Sequence, residues 1–130
     1  RDLLAEKQRV VSGVQRFKAQ PTMFGRAPSM WVETNEKQNA REYMEDTHDV
    51  FKAISGDTSI NAFGVFDGHG GDKASKFCSK KMLPTLDSNM QTSAQRAAPE
   101  AALRKTMQDT AATFDKFAGL GRWHDGTTAI

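Results

Sequence analysis

Cysteine is nearly absent: Cys78 is the only one in 130 residues, so the chain can form no internal disulfide and no cysteine-based zinc site. That is compatible with a reducing compartment. No apolar run approaches the roughly 18 residues that suggest a membrane span. The first residues, Arg1-Asp2-Leu3-Leu4, lack the basic, then apolar, then small-residue order of a signal peptide. They also lack an initiator methionine, and the expectation is a trimmed piece of a longer protein, soluble and intracellular rather than secreted. Charge of one sign is scarce too. Lys and Arg total 18 against 16 Asp and Glu, a net +2 scattered along the chain, which argues against a nucleic-acid partner. Internal repeats and low-complexity segments are also absent.

What is present is an ordinary globular composition, with 38% hydrophobic and 26% charged residues. A chain of this length suits one domain or a large piece of one. It can bury roughly 68% of its unfolded surface, enough for a real core.

Periodicity divides the chain. Leu3, Leu4, Lys7, Val10, Val11, Val14 and Phe17 fall on one helical stripe, which predicts a helix over residues 2–18 that Gly13 weakens and Gln20-Pro21 closes. Such a stripe serves either the chain's own core or a partner or autoinhibitory contact. A connector through Ser29 completes an N-terminal extension over residues 1–29. Strands are predicted at Met30-Trp31-Val32, at Val50–Ile54 and at Ile60–Phe66, with Ser55–Ser59 as a hairpin turn between the last two. Asp72 is placed to cap a helix through Lys81, with Pro84 limiting it. Leu103, Met107, Ala111, Phe114 and Phe117 or Ala118 predict a second helix from about Pro99 to Ala118, stopped by Gly119 and Gly121. Gly126–Ile130 reads as the opening of another strand. Strands followed by helices indicate an α+β fold.

Two constellations carry chemistry. In Arg41-Glu42-Tyr43-Met44-Glu45-Asp46-Thr47-His48, two adjacent carboxylates follow an arginine at the entrance to a strand. Burying both needs a compensating cation, which a hard divalent metal supplies. A solvated charged turn is the alternative. In Phe63-Gly64-Val65-Phe66-Asp67-Gly68-His69-Gly70-Gly71, an apolar strand delivers Asp67 to a glycine-rich turn. A carboxylate, an accessible carbonyl at Gly68 and an imidazole converge there. An ordinary hairpin turn with His69 in water is the alternative.

Phe63–Gly71 resembles the signature of the type 2C protein phosphatases, the metal-dependent serine/threonine phosphatase family. Arg41, Met44-Glu45-Asp46 and His48 resemble that family's preceding motif, and Gly126-Thr127-Thr128-Ala129 resembles the strand opening after its first two helices. The three matches come in the family's order and span Trp31 to the C-terminus. The resemblance implies a four-layer α-β-β-α sandwich with two antiparallel sheets flanked by helices, of which residues 30–130 are the N-terminal, C-terminally incomplete portion. It implies that Asp67 bridges two Mg²⁺ or Mn²⁺ ions, that the Gly68 carbonyl and Glu45 bind one of them, and that Asp46 holds metal-bound water. Arg41 then clamps the substrate phosphate and His69 is the general acid. His48 is supporting or structural, and His124 stands outside any motif.

Elementary chemistry agrees with those roles. A metal lowers the pKa of bound water from about 15.7 toward 7, two metals need a bridging carboxylate, and a guanidinium matches two phosphate oxygens. Cys78 sits within a predicted helix rather than before a phosphate loop, which disfavours a cysteine nucleophile. Two features depart from the family. Glu36–Ala40 lacks the glycine usual before the arginine, and Asp109, Asp115 and Asp125 match none of the family's later metal aspartates. The expected partners are a phosphoprotein substrate and the remainder of the catalytic domain. A catalytically silent phosphatase-like binding or regulatory domain is the alternative function.

Overall fold

The computed structural model describes Ala40 and residues 42–130 throughout, and the strands that occur in residues 10–37. It divides into two compact units, residues 1–44 and 45–130. In the first unit, β1 (Val10–Phe17) pairs antiparallel with β4 (Met30–Lys37), from Val10 opposite Lys37 to Phe17 opposite Met30. Between them β2 (Pro21–Thr22) and β3 (Gly25–Arg26) form a short antiparallel pair.

β1 corrects the helix expected over residues 2–18. Residues 2–9 lie outside the described residues, and the remainder up to Phe17 is strand. Val10, Val11 and Val14 are β-branched and lose rotamer freedom in a helix, and Gly13 costs a helix about 1 kcal/mol. A partner strand of equal length then takes the backbone hydrogen bonds.

In the second unit the expected hairpin forms, but its first strand lies three residues earlier than Val50–Ile54, because Ile54 turns inward to the core, and its second starts at Ala62 rather than Ile60. β5 (Thr47–Phe51) pairs antiparallel with β6 (Ala62–Phe66), with Thr47 opposite Phe66 and Phe51 opposite Ala62. Its connection is a single 3-10 turn, Ile54–Gly56, that buries Ile54 completely. Ser55 adopts φ 53° there and is held from outside the turn: its N–H donates to Asp87 Oδ1 at 2.5 Å and its hydroxyl to the Met90 carbonyl at 2.7 Å.

After β6 the chain continues as β7 (Gly68–His69), paired with β8 (Gly126–Thr127). Val65 and Ile130 exchange both backbone hydrogen bonds, and Thr128 N–H donates to the Asp67 carbonyl at 3.0 Å. Val65 and Phe66 are therefore paired with β5 on one side, while the segment 65–69 runs beside residues 126–130 on the other. The strand opening read at Gly126 is present.

Helix α1 (Lys73–Ser88) lies against β5, β6 and β8, and α3 (Pro99–Gly121) lies against α1, with the short α2 (Ser93–Ala97) between them. α2 starts with a reciprocal cap between Thr92 and Gln95. Pro84 does not limit α1 as expected: it sits inside the helix, which runs on to Ser88. A proline there costs about 3 kcal/mol. Past it, Leu86 and Met90 join Ile54, Leu83 and Ala102 in the core, and each large apolar side chain buried contributes about 1.5–3 kcal/mol. Core burial wins. Asn89 then ties the helices, donating to Thr106 Oγ1 at 3.1 Å and Asp109 Oδ2 at 3.3 Å.

α3 also outruns its expected glycine stop. It passes Gly119 and ends at Gly121, after which Arg122 takes a left-handed conformation with φ 53°. Trp123 sets that end: its N–H donates to the Ala118 carbonyl, its ring folds back over Gly121 and lies 6.0 Å from Phe114, and Lys73 Nζ stands 5.1 Å above it. Antiparallel strand pairs with separate helices make the fold α+β. No described helix is long and apolar enough to cross a membrane.

Candidate functional site

Along residues 63–69, exposure alternates with the strand period. Gly64, Phe66 and Gly68 are buried, while Phe63, Val65, Asp67 and His69 are exposed. Phe66, fully buried, anchors the strand. Asp67 and His69 thus share one face with Phe63 and Val65, each about half exposed at 52%. The two candidate chemical groups stand at the end of an open apolar strand face.

Hairpin register brings Glu45 and Asp46 of the first constellation to the same end. Pairing runs from Phe51 and Ala62 to Thr47 and Phe66, and Glu45-Asp46 come just before it as Asp67-Gly68 come just after. The approach is close. A Cβ on Gly68 would lie 2.5 Å from the Glu45 carbonyl oxygen and 2.9 Å from Ser75 Oγ. Glycine at 68 is therefore a packing requirement, beyond any carbonyl it offers. Ser75 on α1 is completely buried, and its hydroxyl donates to the Glu45 carbonyl, while Thr47 Oγ1 donates to the Ser75 carbonyl at 2.8 Å. Ser75 pins this loop to the helix. Nothing in the local sequence pattern marked it.

The Glu45 carboxylate is held as well. Gly71 N–H donates to Glu45 Oε1 at 2.9 Å, from a turn in which Gly70 has φ 71° and Gly71 φ 140°. Those dihedrals are strained for any residue with a Cβ, which accounts for the glycine pair. The His69 ring lies across Gly126 on the neighbouring strand, with Nε2 2.6 Å from where a Gly126 Cβ would stand.

Asp46 is exposed and His48 half-buried within β5. Arg41 lies outside the described residues. His124 is exposed, beside the site rather than in it. Asp109 sits far from it in the fold, between Lys105 and Asn89, whose hydrogen bonds hold its carboxyl below the ordinary value. Cys78 is buried, and burial pushes its thiol up from the ordinary value. It lines an apolar cavity of about 280 Å³ with Met82, Met107, Thr110 and Phe114, which neither Glu45 nor Asp67 lines. A buried thiol with a raised pKa is a poor nucleophile.

The donor set suits a hard cation: carboxylates at Glu45 and Asp67 and a backbone carbonyl at Gly68 are oxygen ligands. It is partial. Among the described residues no three His, Cys, Asp or Glu side chains converge in a way that would hold a metal.

Gly68→Ala tests the close approach. The methyl would overpack a junction with backbone on one side, and overpacking costs about 1–3 kcal/mol. A clear fall in the thermal unfolding midpoint is expected. An unchanged midpoint would show that the Glu45 loop is free to move away.

A family profile, Protein phosphatase 2C, matches residues 31–130. A protein kinase and PP2C-like domain-containing protein of Arabidopsis thaliana is 33% identical over 94 residues, covering 69% of this chain and 14% of that protein. Probable protein phosphatase 2C 4 of Paramecium tetraurelia is 37% identical over 92 residues, covering 71% of this chain and 29% of that protein. Probable protein phosphatase 2C 58 of Oryza sativa subsp. japonica is 54% identical over 43 residues, covering 33% of this chain and 11% of that protein. The chain thus spans less than a third of the length of these relatives.

Proposed function

This chain belongs to the protein phosphatase 2C family, and from that premise we propose that the intact protein hydrolyses phosphoserine and phosphothreonine in proteins at a binuclear Mg²⁺ or Mn²⁺ centre. The observation that carries the proposal is the junction at the hairpin's end. Glu45 is held against Gly68 and bonded by Gly71 N–H, with Asp67 and His69 on one strand face beside it.

In this reading Asp67, Glu45 and the Gly68 carbonyl hold the metals, and Asp46 orients water beside them. When bound, such ions supply a water acidified from a pKa of about 15.7 toward 7. Arg41 clamps the phosphate through two parallel hydrogen bonds. His69 delivers a proton to the departing serine or threonine oxygen, and its seat across Gly126 supports a fixed ring orientation. His48 has a structural role in β5.

The exposed apolar Phe63 and Val65 support a second sheet covering that face, which gives the four-layer α-β-β-α sandwich. Residues 30–130 are then the N-terminal portion of the catalytic domain, preceded by an extension over residues 1–29. The small share of each relative that the chain spans supports a need for the remainder of that domain. The partial donor set favours the same view, and equally a silent regulatory relative as the second reading.

Phosphate release from a phosphoserine peptide, with and without Mn²⁺, separates the readings. The intact protein is expected to turn over only with the metal, and the 130 residues by themselves are expected to show no appreciable activity. Mn²⁺-dependent binding of the peptide without turnover by the intact protein would favour the silent domain. Full turnover by the isolated 130-residue monomer would overturn the need for further ligands.

A further inference from the structure

We propose that Asp125, which no motif includes, is a positioning residue: it sets the Glu45 carboxylate through the Gly70-Gly71 turn. Helix α1 opens with unpaired N–H groups that need acceptors. Its N-cap residue, Asp72, makes no side-chain cap; its carboxylate pairs with Lys76 instead. The Ala74 N–H is taken by Asp125 Oδ2 at 2.6 Å, from 51 residues further along the chain. The carboxylate also sits favourably at the positive end of the helix dipole.

The same side chain fills the space beneath the turn. A Cβ on Gly71 would stand 3.1 Å from Asp125 Cβ and 3.4 Å from its carboxyl carbon, and one on Gly70 would stand 3.6 Å from Asp125 Cα. Gly71 in turn bonds Glu45 Oε1. The contacts run in series: α1 fixes Asp125, Asp125 supports Gly71, and Gly71 N–H holds Glu45. The next residue, Gly126, carries the His69 ring. One dipeptide therefore abuts both the turn that bonds the predicted ligand and the ring of the predicted acid.

Its consequence for metal rests on the phosphatase reading; the contact itself does not. The test compares Asp125→Ala, Asp125→Asn and Asp125→Glu in the intact protein by hydrogen exchange at the Gly71 amide and by Mn²⁺ calorimetry. Losing the acceptor in Asp125→Ala is expected to speed Gly71 exchange and weaken Mn²⁺ binding by about five-fold each, the worth of a helix cap. Asn keeps shape and acceptor and is expected to restore both. Glu keeps the charge, so the protein stays folded, but its extra methylene displaces the turn; both losses are expected to persist. Wild-type exchange and affinity in a folded Asp125→Glu, or in a folded but less stable Asp125→Ala, would overturn the proposal and leave Asp125 a helix cap only. A wild-type protein that takes up no Mn²⁺ overturns the phosphatase reading instead, and Gly71 exchange then decides this one.

Discussion

Asp67→Asn is expected to reduce Mn²⁺ affinity by more than about 100-fold and to remove phosphatase activity with it. Residues that merely support a metal ligand cost 10–100-fold in affinity when changed, so a bridging carboxylate sets a larger loss. The substitution keeps shape and removes one negative charge from the outward face where Asp67 stands exposed. Its backbone carbonyl still accepts from Thr128 N–H, so β8 stays paired and the fold is expected to survive. Calorimetry with Mn²⁺ on the intact protein reads the effect without relying on turnover. Equal affinity in the variant and the wild type would remove Asp67 from the ligand set.

His69→Ala separates proton donation from binding. A positioned general acid contributes about 10²–10⁴-fold in rate. That contribution matters when the leaving oxygen is a serine or threonine alkoxide. An aryl oxide departs with little help. Hydrolysis of a phosphoprotein is therefore expected to fall by two or more orders of magnitude, and hydrolysis of an aryl phosphate far less. The side chain is exposed and its backbone pairing with Gly126 does not depend on the ring, so misfolding is not expected to mimic the result. Equal losses on both substrates would mean that His69 binds or orients phosphate rather than protonating the leaving group.

Sequence by itself determined the hairpin of β5 and β6, the two long helices, the strand opening at Gly126 and the motif that marks the family. Each is a local signal: a period, a turn cluster, or a run of residues whose spacing is the information. Where one local preference met a stronger distant force, only the tertiary structure decided. The stripe from Leu3 to Phe17 fits a helix, yet its described part pairs as a strand with β4, because backbone pairing is settled by a partner elsewhere in the chain. Pro84 reads as a stop, yet the core formed by Leu83, Leu86 and Met90 with Ile54 outweighs one lost hydrogen bond and its clash. Ser75 and Asp125 carried no motif at all. Their partners, the Glu45 carbonyl and the Ala74 N–H, are 30 and 51 residues away, so their part in the site exists only once the hairpin, α1 and β8 meet. The candidate site residues could be named from the chain because a motif is a matter of residue type and order; the residues packed against them could not, because a hydrogen bond across the fold leaves no period in the chain.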